Sequence, residues 1–330
     1  MPVSMHYFRY ILLMLLQVGS ATALAEPSQD KEAEWLQTMA LAAHQTNFSG
    51  VFVYQSGANV EVSRVTHVVD KDGEHERLEG LVGVKREIIR DNDRVWLYSD
   101  GHKIRLETRQ IKRAFPALLP EQVAVLKENY LVSPAEEDEI AGFRAKSVVL
   151  FPRDSLRYAR KMWADSGTGL LLKAIVLDDH GYVIEQYSFM QLIIGNSIDR
   201  KLIMPENSSA TAVAQELNVS PLPKVELLDE PCGWQVDALP PGFGKIMEMR
   251  RPFRGNKEPV IQMVFSDGMA GISVFIEKFR DASYFHSGLS SQGAAHIYNR
   301  IVGENLVTVV GEVPSRTVIQ VGDSVRYAGR

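Results

Sequence analysis

Residues 258–279 read EPVIQMVFSDGMAGISVFIEKF. Two alternating, mostly apolar runs flank Ser266-Asp267-Gly268, and Asp-Gly between such runs is a strong short-range hairpin signal. In the first run Ile261, Met263 and Phe265 point one way, and Val260, Gln262 and Val264 the other. In the second, Ile272, Val274 and Ile276 share a face, and Ser273, Phe275 and Glu277 share the opposite one. A hairpin apolar on nearly both sides is not stable alone in water, so it belongs inside a small sheet or against a partner. It holds no nucleophile–base pair, no set of metal ligands and no phosphate loop. The stretch offers binding surface and no chemistry.

The chain around it has 330 residues, 45% hydrophobic and 23% charged, with a formal net charge of -5. That is long enough for two domains with separate cores. The mild acidity argues against a nucleic-acid protein, which carries a basic excess or a concentrated basic face. The first 25 residues differ from the rest: His6 and Arg9, an apolar run Tyr10 to Val18, then Ala23-Leu24-Ala25 before Glu26, with no earlier acidic residue. This is the pattern of a secretory signal peptide, with an apolar part too short for a transmembrane helix. No cysteine near the cleavage site permits lipoprotein processing. Cys232 is the only cysteine, so no intramolecular disulfide forms. Beside Pro231 and Trp234 it reads as a small packed hydrophobe.

After the signal, Asp30 to His44 reads as a helix, with Trp35, Leu36, Met39, Ala40 and Ala43 on one stripe. From Ser49 the period becomes two. Ser49–Gln55, Val60–Val69, Val84–Arg90, Arg94–Ser99 and Lys103–Glu107 are strand-like, separated by Gly, Asn and Asp turns. Residues 115–129 read as helical. Strands resume at Tyr130–Ser133, Gly142–Phe151, Tyr158–Ala164, Leu170–Asp178 and Val183–Ile194. Such a meander must hide one face, which predicts a curled antiparallel sheet, a half-barrel, around helices. Pro205 to Pro231 is rich in Ser, Ala and Pro and reads as a linker. The fold class expected is α+β: a large half-barrel domain over 26–205, a linker over 206–230 and a smaller α+β domain over 231–330. The small domain adds strands at Ala294–Val302 and Asn305–Val313 and a helix from Pro314 to Val325.

A search for chemistry returns little. The eight histidines show no metal-ligand spacing and read as solvated or capping side chains. No GxSxG, SxxK, GxGxxG or Walker pattern occurs, so neither an enzyme nor a cofactor is indicated. The run Glu136-Glu137-Asp138-Glu139 reads as a solvated loop rather than a cation site. Two basic clusters, Arg153/Arg157/Arg160/Lys161 and Arg250/Arg251/Arg254/Lys257, are either solvated charge or seats for phosphate or an acidic peptide. Phe52, Tyr54, Trp96, Tyr98, Trp163, Tyr187 and Phe189 alternate along the large-domain strands. They either line a cavity for an acyl chain or form a dry core under the helix. On the hairpin side, Arg250, Arg251, Arg254, Met263, Phe265 and Phe275 are the candidates for meeting a partner.

The runs WQVDALPPGF (234–243), MRRPF (249–253), residues 260–279 and VTVVGEVPSRTVIQVGDSVRY (307–327) resemble the C-terminal domain of the MucB/RseB family. NFSGVFVYQS, VKREIIRDNDRVWLYSD and residues 158–189 are similar to its N-terminal half, so the resemblance spans the mature chain. The tract from Trp163 to Leu170 is also similar to the lipoprotein carriers LolA and LolB. The resemblance implies a periplasmic regulator of the envelope-stress sigma factor. Such a protein binds the periplasmic part of a transmembrane anti-sigma factor (RseA or MucA) and shields it from the site-1 protease DegS. It implies a large domain that senses lipid, lipopolysaccharide or mislocalised lipoprotein. A homo-oligomer is left open. The alternative is a periplasmic carrier of lipid or lipoprotein, which would need only the large domain.

Overall fold

The stripe from Trp35 to Ala43 becomes the buried side of helix α1 (Pro27–Gln45), and the change of period at Ser49 opens the first strand. A computed structural model describes residues 27–83, 86–99, 102–106, 114–195, 198–204, 226–228, 232–251, 258–279 and 288–329. The signal-peptide reading and most of the linker therefore lie outside the described residues. The strands that follow α1 are β1 (Phe48–Ser56), β2 (Asn59–Asp70), β3 (Gly73–Gly80), β4 (Arg86–Asp91), β5 (Arg94–Ser99) and β6 (His102–Leu106). A short helix α2 (Ala124–Asn129) leads into β7 (Tyr130–Ile140), β8 (Phe143–Pro152), β9 (Ala159–Asp165), β10 (Leu171–Leu177) and β11 (Val183–Ile194).

These eleven strands form one antiparallel sheet in the order β6-β5-β4-β3-β2-β1-β11-β10-β9-β8-β7. The pairing of β1 with β11 joins two meanders into one curled sheet, and among the described residues its end strands β6 and β7 do not pair with each other. Leu36 and Met39 of α1 pack with Phe48, Phe52, Val65, Met162, Leu172 and Phe189 in a single core. Each fully buried apolar side chain of this size stabilises the fold by roughly 1.5–3 kcal/mol.

The second sheet comprises β12 (Glu226–Leu227), β14 (Gly244–Arg251), β15 (Val260–Ser266), β16 (Gly271–Lys278), β17 (Gly288–Gln292), β18 (Ala295–Val302) and β19 (Asn305–Gly311). Its order is β12-β14-β15-β16-β19-β18-β17; β13 (Trp234–Val236) pairs separately with β20 (Val325–Tyr327). The expected hairpin is β15–β16. Its register pairs Ile261 with Ile276, Met263 with Val274 and Phe265 with Ile272, which puts all six on one face. That face meets Val318 and Val321 of helix α3 (Ser315–Asp323) in the small core. Cys232 is buried in the same core as a free thiol, and its burial raises the thiol pKa to about 11.

The structure differs from the sequence reading at several places. β3, GEHERLEG, is not among the expected strands; its Glu74 and Glu79 find partners on β2, in His67 and Arg64. The helix expected over 115–129 is confined to 124–129. The run Glu136–Glu139 lies on strand β7 and not in a loop, with its carboxylates on the exposed edge of the sheet. β14 and β17 were also missed. His67 is fully buried and His75 nearly so, against the expectation of solvated or capping rings.

Candidate functional site

Register sorts the large-domain aromatics into two sets. Phe52 pairs with Phe189 and Tyr54 with Tyr187, so these four share the side of the sheet that carries the helix-facing core. Their rings touch: Tyr54–Tyr187 centroids are 4.6 Å apart and Phe52–Phe189 6.0 Å. Trp163 pairs with Lys173 and through it Ser188, while its neighbour Met162 follows Ala174 to Tyr187. Trp163 therefore faces the other way, flanked by the Lys161 and Lys173 ammonium groups at 4.7 and 4.8 Å. Trp96 pairs with Ile89 and Tyr98 with Glu87, on the side opposite Phe52. The structure thus brings four of the seven together and sets three on the other face.

Two rings that the sequence reading did not single out complete the cluster. Phe48 lies 6.4 Å from Phe189. Phe115 lies 5.0 Å from Phe52, 4.9 Å from Phe189 and 5.5 Å from Tyr187. Burial raises the pKa of Tyr54 and Tyr187, and the nearby carboxylates of Glu185 and Glu312 add to it. At the end of β1 and the start of β11 an open cleft of about 380 Å³ is lined by Gln55, Gly57, residues 183–186 and Gly293 of the small domain.

On the small sheet, Met263 and Phe265 lie on the face covered by α3 and are buried in the core, beyond reach of a partner in this structure. Phe275 lies on the opposite, half-open face with Val264 and Ser273, and the Arg251 guanidinium sits 5.7 Å above its ring. Arg250 is set toward the α3 side, opposite Ile261 and Glu226. Arg254 lies outside the described residues.

The two sheets meet at the tip of the hairpin. Arg157 is fully buried and spends its donors on three acceptors: Nε to Asp267 Oδ2 at 2.6 Å, Nη1 to Asp154 and Nη2 to the Pro241 carbonyl. Its guanidinium also lies 5.8 Å over Tyr130 and 5.2 Å over Phe243. Tyr130 donates to Asp267 Oδ2 at 3.1 Å, while Oδ1 accepts from the Met269 and Ala270 amides at 2.9 and 2.8 Å. Thr317 of α3 donates to the Leu156 carbonyl at 2.9 Å. Neither alternative offered for the first basic cluster describes Arg157, because its charge is used inside the protein. Nothing local signals this: the partner is 110 residues away.

A half-buried polar group ties α1 to the sheet. Glu74 Oε1 accepts from His44 Nδ1 at 3.0 Å and His67 Nε2 at 3.1 Å. His67 Nδ1 faces the Thr46 carbonyl at 2.9 Å, and the ring stacks on Phe48 at 5.1 Å. Among the described residues, no group of three or more His, Cys, Asp or Glu is disposed to hold a metal ion. Nor is any helix among them long and apolar enough to cross a membrane.

An open curled sheet around a helix, pinned by a buried ion pair to a smaller α+β sheet with one half-open face, defines a class of two-domain, β-rich proteins. The chain belongs to the MucB/RseB family: the family's N-terminal domain matches residues 31–207 and its C-terminal domain residues 229–326. It is 31% identical over 319 residues to the sigma factor AlgU regulatory protein MucB of Pseudomonas aeruginosa, covering 95% of this chain and 96% of that one. It is also similar to the crystal structure of MucB in complex with MucA(peri), with 26% identity and a TM-score of 0.71 over 91% of this chain and 100% of that one. Against the crystal structure of MucB alone the values are 25% and 0.63, over 90% and 98%.

Proposed function

We propose that this chain is a periplasmic regulator of a sigma factor. It binds the periplasmic part of a membrane anti-sigma factor, shields it from its first proteolytic cut, and lets go when an apolar ligand enters the large domain. The observation that carries this is likeness over 95% of the chain, both domains included, to a protein named as a sigma factor regulator. The relative seen in complex with MucA(peri) supports the choice of partner. The greater likeness to that complex than to MucB alone supports reading the arrangement pinned by Arg157 and Asp267 as the partner-binding one. The signal-like first 25 residues support the compartment.

The large domain, 26–205, supplies the lipid site through Phe52, Tyr54, Tyr187 and Phe189. The small domain, 231–330, supplies partner contact through Arg251 and Phe275, with the linker over 206–230 as hinge. No catalytic role and no cofactor is proposed. Ligand and partner are linked: each weakens the other by the same factor, and a coupling of roughly 1–3 kcal/mol changes affinity about 5- to 150-fold. The test is calorimetric titration of the mature chain with the periplasmic domain of its anti-sigma factor, with and without saturating lipid. Binding that lipid weakens is expected; absence of binding sinks the reading, and binding indifferent to lipid sinks the linkage.

A further inference from the structure

Phe115 sits in the middle of the aromatic cluster without belonging to the sheet that builds it. Phe52, Tyr54, Tyr187 and Phe189 are fixed by the β1–β11 register. Phe115 is delivered instead by residues 114–123, which pair with no strand. Leu119 and Val123 in the core hold that segment, together with the Gln37 side chain of α1, which donates to the Glu121 carbonyl at 2.8 Å. The phenyl ring is nevertheless as buried as a core residue, and lies within 11° of parallel to Tyr187. A loop side chain therefore fills the space between the sheet's own rings.

The same segment ends at the seam between the domains. A Cβ built on Gly268 would stand 3.3 Å from Val125, 3.6 Å from Pro120 and 3.7 Å from Leu126. One built on Gly242 would collide with Asn129 at 2.1 Å, and Tyr130 bonds Asp267. Met269, two residues beyond Asp267, packs on the large-domain core. Residues 115–130 thus touch the aromatic cluster at one end and the hairpin tip, 266–270, at the other.

We infer that Phe115 is a built-in plug of an acyl-chain site, and that residues 115–130 are a strap carrying its displacement to the hairpin tip of the small domain. The inference rests on the reading that the large domain takes an apolar ligand. The ligand class is a single linear hydrocarbon chain, because the space the ring would vacate is bounded by Phe52, Tyr187 and Phe189. While the plug is seated, apparent affinity is reduced by the fraction of molecules in which it is open. A ligand that ejects it shifts the strap and loosens the turn that Asp267 and Arg157 hold.

The experiment compares the mature wild-type chain with Phe115→Ala, titrated with palmitoyl lysophosphatidylcholine below its micellar range. Wild type is expected to bind, and the variant to bind about tenfold tighter or better because no plug competes. Hydrogen exchange of the Met269 and Ala270 amides is expected to speed up when lipid fills the wild type, and to be faster in the variant before lipid is added. Equal affinities, or exchange unmoved with lipid bound, overturn the plug and strap while lipid binding itself stands. No binding by either protein overturns the lipid reading and the plug with it. Should Phe115→Ala not fold by circular dichroism, Phe115→Leu replaces it with the same expected direction. Phe115→Trp, which overfills the site, is expected to bind more weakly than wild type, and tighter binding by it counts against the plug.

Discussion

The Arg157 Nε donates to Asp267 Oδ2 at 2.6 Å, with side chains 1% and 0% exposed, and the two residues come from different domains. A buried ion pair gains little net stability over a well-packed apolar pair, because both charges must be stripped of water. What it does supply is angular definition. The guanidinium fork reaches Asp154, Asp267 and the Pro241 carbonyl together only at one setting of the domains. In a regulator whose proposed signal must travel between domains, a joint with one defined setting has an evident use.

Removing one charge alone should therefore cost far more than removing both. Arg157→Met leaves the Asp267 carboxylate buried with Tyr130 and two turn amides as its remaining donors, and is expected to lose about 3–5 kcal/mol. Asp267→Asn in the same chain removes the stranded charge and is expected to restore part of that loss. Urea unfolding of the single and double variants reads both. A single variant within 1 kcal/mol of wild type would show that the domains are held elsewhere.

Thr317 tests the same seam without any charge. Its side chain is fully buried, and its hydroxyl donates to the Leu156 carbonyl across the joint. Thr317→Val keeps the shape and leaves that carbonyl without its donor, for an expected loss of about 1 kcal/mol. Thermal unfolding followed by calorimetry measures it; a variant as stable as wild type would mean that another donor or water takes over.

The His44–Glu74–His67 group makes the large domain's stability depend on pH from both sides. The hydrogen bond to Glu74 holds His44 above its ordinary 6.5, over the opposing effect of burial. Burial alone would raise Glu74 above its ordinary 4.5, but the bonds from His44 and His67 hold it well below. The His44 contribution is complete below pH 6.5 and fades as pH climbs through the raised folded value. The Glu74 contribution is complete above pH 4.5 and fades as pH falls toward the depressed one. Melting temperature should peak between these limits. His44→Ala should flatten the alkaline side of the profile, and an unaltered alkaline side would remove His44 from the account.

Much of this architecture was legible because it follows the period-two pattern. β5 and β11 have the ends that the pattern gives them, and β15–β16 turns at Asp267-Gly268 as the dipeptide dictates. β3 was not legible because its charges find partners in the fold, Glu74 with His67 of β2 and His44 of α1, Glu79 with Arg64 of β2 and with Arg77 of its own strand, so no apolar alternation marks the strand. The aromatic site was half legible. Alternation names Phe52, Tyr54, Tyr187 and Phe189, but only register shows that Trp96, Tyr98 and Trp163 point away. Phe115 carries no pattern at all, since a loop delivers it. Arg157 and Asp267 looked like a surface charge and a turn residue because chain separation hides a buried pair.

Arg251 and Phe275 offer a direct test of which face of the small sheet meets the partner. The guanidinium lies over the ring on the side of the sheet away from α3, whereas Arg250 is turned toward the α3 side beside Glu226. Arg251→Glu replaces a favourable cation–π contact, about 0.5–1 kcal/mol at such a site, with a carboxylate facing the negative ring. It also reverses the charge presented on the open face. The expected result is a loss of about tenfold or more in affinity for the anti-sigma periplasmic domain, since placing like charges against each other across an interface costs several kcal/mol. Arg250→Glu is expected to weaken binding less, and neither change should lower the melting temperature by more than a few degrees, because both side chains lie outside the small core. Fluorescence anisotropy with a labelled partner domain, beside thermal melts, separates the outcomes. A larger loss from Arg250→Glu would move the partner to the α3 side, and unchanged affinity in both would return the cluster to solvated charge.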